Sequence, residues 1–166
     1  MANTIYDSTK GFLPIGGPIQ VVWFTVGATA VKRGTAVKFD GSNPGKIIPV
    51  TATGGGQIGV ALAAGAVGAS VPVNIDPETL YEATADDQAV AITDIGKVVV
   101  ITAESSSSEV SNQMVDVSAA TGTITANHVF QIIGLPSKVT NVAAASNLKL
   151  IVKMVMSKLE PFVDAT

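Results

Sequence analysis

A chain of 166 residues accommodates one domain or two small ones. It is 47% hydrophobic and only 14% charged, with ten basic and thirteen acidic residues, so it lacks the cationic surplus that draws a protein to the phosphates of DNA or RNA. The absence of cysteine excludes disulfides, thiolate nucleophiles and thiolate metal sites, and the abundance of Ala, Thr, Ser and Gly in place of charge leaves smooth faces suited to packing against other subunits.

The first eighteen residues, MANTIYDSTKGFLPIGGP, are broken by Gly and Pro and show no hydrophobic period. They read as an extended arm, with Ile5, Tyr6, Phe12 and Leu13 as candidate anchors on a neighbouring surface. No basic stretch precedes an apolar one, so no secretory signal is expected and synthesis is placed in a cytoplasm. Beyond the arm the sequence divides into a β-lobe over 19–76 and another over 77–166, or forms one continuous domain. TAVKFD alternates Thr35, Val37 and Phe39 with Ala36, Lys38 and Asp40, the period of a strand, and GSNPG after it is a turn. KIIPV (46–50), QIGVALA (57–63) and VPVNI (71–75) are further β-branched runs, separated by TATGGG and GAVGAS. The segments TVGATAVKRGTAVKFD and AAGAVGASVPVNID both pass from a Gly-Ala turn into an alternating strand that ends in Asp, a weak internal similarity.

Gly54-x-Gly56-x-x-Gly59, with Asp76 seventeen residues on, has the form of a dinucleotide-binding fingerprint. That motif needs its glycine turn directly after a strand and a helix directly after the turn. Here TATG intervenes, and VALAAGAVGAS carries Gly65 and Gly68 inside the required helix, each costing about 1 kcal/mol against Ala. A β-hairpin fits better, with Gly59 marking a bulge or a close backbone approach and Pro72 demanding an edge or strand-start position. From Ile47 to Ile75 no residue is charged, but Pro49, Pro72 and the small polar residues there argue against a membrane span.

In the second half, PETLYEATA (77–85) and VTNVAAASN (139–147) read as short helices. KVVVITA, NQMVDVS, HVFQIIGL and LKLIVKMVM read as strands, with ITDIG, SSSS and SAATG as turns or loops between them. In the last strand Lys149 and Lys153 have helical spacing, but Leu148, Leu150, Val152, Met154 and Met156 alternate. The expected fold is all-β: a sandwich or barrel-like β-body with at most two short helices and an extended N-terminal arm.

Chemistry-bearing constellations are sparse. His128, the sole histidine, shares a strand face with Phe130 and Ile132 and reads as a satisfied structural or surface imidazole. Six acidic and no basic residues lie between Asp76 and Asp94, which reads as a solvated acidic face because the spacing of a calcium loop is missing. The serines at 105–108 form a flexible loop, and none sits in Gly-x-Ser-x-Gly. No catalytic residue, cofactor or metal is expected, and the chain is read as a non-enzyme.

The order GQIGVALAAGAVGASVPVNI, DPETLYEATADD, AITDIGKVVVI, a Ser-rich turn, VDVSAATGTITANHVFQIIGL and NLKLIVKM resembles the head decoration, or cement, proteins of tailed bacteriophages over residues 35–156. SSSSEVSN stands where such proteins would carry glycine before the VDVS strand. The resemblance implies a structural virion protein that binds the major capsid protein on the outer surface of the shell and stabilises the head, as a homo-oligomer and first of all a homotrimer. Ile5, Tyr6, Phe12 and Leu13 would then be capsid or subunit anchors, with neither nucleic acid nor membrane as partner. Another self-assembling β-module, such as a tail-tube or fibre component, is the second reading, and a nucleotide-dependent enzyme the third.

Overall fold

The computed structural model describes residues 11–52, 55–86, 90–135 and 148–155. Among them are eleven strands and one short 3-10 turn, Ile92–Asp94, so the protein is all-β as expected. Strands β2 (Val21–Val26), β3 (Ala36–Phe39), β4 (Lys46–Pro49), β5 (Gln57–Ala61) and β6 (Ser70–Asn74) close into a barrel in the order β2-β4-β3-β5-β6. A second, six-stranded sheet runs β1 (Leu13–Gly16), β7 (Leu80–Thr84), β11 (Lys149–Met154), β10 (Phe130–Gly134), β8 (Val98–Ile101) and β9 (Val115–Thr121). This sheet curls, because a parallel bridge from Ala85 to Val115 brings β9 back against the chain leaving β7.

The barrel interior is filled by Val26, Val31, Val37, Ile47, Ile58 and Val71, aliphatic side chains small enough to pack inside five strands. Its β5–β6 pair is the expected hairpin, with Val60 opposite Asn74 and Ala61 opposite Val73. The Ala69 amide donates to the Ala66 carbonyl across the turn, where Gly68 takes a φ of 83° that disfavours a side chain. At Gly59 both sequence readings hold: β5 carries one extra residue, Ile58, opposite the Val37–Lys38 step, and a Cβ on Gly59 would run into the carbonyl oxygen of Asn74. The bulge lies in β5 and leaves the alternation of TAVKFD in place: Val37 is in the barrel interior and Phe39 stands opposite Ile47, edge-on to Phe24, while Ala36 packs in the other cluster. Pro72 sits in mid-strand with neighbours on both sides, not at an edge. Its carbonyl accepts from Leu62, one residue beyond the end of β5, so the missing N–H falls where that pairing frays.

Two other expectations are corrected. PETLYEATA is not a helix: Leu80–Thr84 is β7, held between β1 and β11, and burial of Tyr81 and Ala83 in the core outweighs the helical preference of Glu, Leu and Ala. SAATG is not wholly a turn, since β9 continues to Thr121 and bulges against β8 on the way. The helix expected over 139–147 lies outside the described residues.

The two sheets share one core. Phe12, Ala36, Val50 and Val60 pack in the same cluster as Tyr81, Phe130, Leu150 and Val152. Polar groups reinforce the seam: Gln113, fully buried, accepts from the Ala36 amide at 2.8 Å and donates to the Val50 carbonyl at 2.9 Å. Gln57 donates to the carbonyls of Val129 and Val155, and Arg33 exchanges backbone hydrogen bonds with Glu109 and Ser111.

Candidate functional site

Chain path and pairing produce the most prominent surface feature. VVWFTV is an unbroken run of β-branched and aromatic residues, and in a strand alternate side chains must leave on opposite faces. Val22 and Phe24 stand opposite Val73 and Val71, two barrel-core residues, and so face inward. Val21 and Trp23 therefore face out, 44% and 65% exposed. Trp23, the only tryptophan, lies directly across from Pro72 on β6. Ile19, at 55% exposure, extends the row, and Ile15, the bulged residue of β1, is also exposed. On the flank away from β6, Thr25 pairs with Lys46 on β4, and Lys38 pairs with Ile48. The barrel's two carboxylates turn to backbone: Asp40 accepts from the amides of Ala28 and Ser42, and Asp76 from that of Glu78. The outcome is an apolar, aromatic strip with cations on one side.

The anchors expected from the sequence are distributed differently. Phe12 is fully buried and stacks on Phe130 at 4.3 Å between ring centroids, so it anchors the segment into its own chain. Leu13 begins β1, half-buried opposite Glu82. Residues 11–16 thus belong to the sheet instead of forming an arm, because burying Phe12 and pairing with β7 outweigh the Gly and Pro punctuation. Ile5 and Tyr6 lie outside the described residues. Ile19, Val21 and Trp23 escaped the sequence reading, although the unbroken run in β2 was the signal for them.

The polar residues that drew attention are engaged locally. His128 is buried and its Nδ1 accepts from the Thr125 amide at 2.9 Å. In the acidic segment Glu78 pairs with Lys153 at 2.7 Å, Glu82 with Lys149 at 3.6 Å and Asp94 with Lys97 at 2.8 Å. Burial disfavours the Asp94 carboxylate, but the Lys97 ammonium and the Ala91 amide outweigh it and hold the pKa below the ordinary value. The Ser-rich loop is tied down by Glu104, which accepts from Thr35, Ser106 and Ser111. Tyr81 and Thr79 both accept from Asn74 at 2.8 Å, and burial drives the Tyr81 hydroxyl pKa far above its usual value.

A shallow cleft of about 240 Å³ lies where Ala30 and Lys32 face Ala64, Ala66 and Glu109. Three alanines, Val31 and Gly65 make up the rest of its lining, with Lys32 its one cation and Glu109 its one anion. Among the described residues no group of three His, Asp or Glu could hold a metal ion, and no helix is long and apolar enough to cross a membrane. In comparisons with known proteins, no family model and no curated protein matches the chain.

Proposed function

We propose that this chain is a structural virion protein that decorates the outer surface of a tailed-phage capsid as a homo-oligomer, a trimer first of all, and reinforces the shell through packed surface contacts. The observation that carries the proposal is the apolar strip Ile19, Val21 and Trp23 on a closed barrel. A closed barrel has no free edge to mispair, so its exposed apolar surface is available for side-chain contact with a neighbour. The segment-by-segment resemblance to cement proteins supports the same reading, and a standard interface of roughly 1,200–2,000 Å² per copy is within reach of a protein this size. Incubation with purified capsid shells followed by co-sedimentation is the test. Saturable binding that raises the shell's resistance to heat is the expected result, and protein remaining in the supernatant at micromolar concentration refutes it. Spontaneous growth of tubes or sheets without a shell would favour the tail or fibre reading.

A further inference from the structure

We draw no further inference here: the strongest candidate, the exposed apolar patch of Ile92 and Ile95 at the 3-10 turn before β8, has only the mutually paired Asp94 and Lys97 beside it, and nothing in the structure shows what covers it.

Discussion

At the scale of single residues, the distinction between an anchor on a partner and an anchor in the fold is decided by burial. Phe12 has no exposed surface and stacks on Phe130. Truncating a buried phenylalanine costs about 3–5 kcal/mol in lost transfer energy and cavity, so Phe12→Ala should lower the denaturant midpoint strongly. Trp23→Ala, at an exposed site, should change stability by no more than about 0.5 kcal/mol. Equal stability of the two variants in urea unfolding would show that Phe12 does not belong to the core. Asp40 supplies a second test. Hydrogen bonds from the Asn43 side chain and the Ser42 amide, with that of Ala28, favour its charged form and lower its pKa. The folded state therefore binds the proton less readily than the unfolded chain, and the stabilisation is complete at neutral pH and fades as pH falls below about 4, the ordinary carboxyl range. Asp40→Asn should be less stable than wild type at pH 7, with the gap narrowing toward pH 2. A gap that stays constant across that range would mean the carboxylate charge contributes nothing.

At the scale of elements, the strands that were legible are those whose alternation is set locally. LKLIVKMVM places Leu150, Val152 and Met154 inside, and so β11 could be read despite its helically spaced lysines. β7 was illegible because Leu80, Glu82 and Ala83 suit a helix while Tyr81 and Thr84 suit a strand, and its partners β1 and β11, distant in sequence, decide for the strand. β1 was hidden for the opposite reason. Its Pro14 and Gly16 look like loop punctuation, yet an edge strand with a bulge tolerates both. The candidate site followed the same rule. Trp23 and Pro72 are 49 positions apart and become one surface only through the β2–β6 register, which no local pattern encodes. Gly59 was legible as a special position, and its reason is now concrete. Gly59→Ala would press a methyl group on the Asn74 carbonyl, so overpacking of about 1–3 kcal/mol is expected, measurable as a lowered thermal midpoint. An unchanged midpoint would show that β5 and β6 can part without cost.

At the scale of the whole molecule, the question is whether barrel and curled sheet are two units or one. The strands of the barrel all lie between residues 19 and 76, and β7 to β11 all lie after it, a division that taken alone predicts separate unfolding. Packing argues otherwise, since Ala36, Val50 and Val60 of the barrel side share a core with Tyr81, Phe130 and Val152. Gln113 then joins the end of the β3–β4 ladder to the chain entering β9, its amide taking the place of a missing peptide partner. Removing that side chain would leave the Ala36 N–H and the Val50 C=O buried and unpaired, at about 1–3 kcal/mol for each group. Because the groups lie on the seam, the loss should weaken the coupling between the sheets as well as their stability. In native-state hydrogen exchange, the amides of Val60 in the barrel and Val152 in the sheet should exchange in wild type with the same free energy of opening, the signature of one cooperative unit. In Gln113→Ala that common value should fall and split, with the barrel amides opening first because the barrel has the smaller core cluster. Two different opening free energies already present in the wild-type chain would show that the seam is a contact between two independently folded lobes.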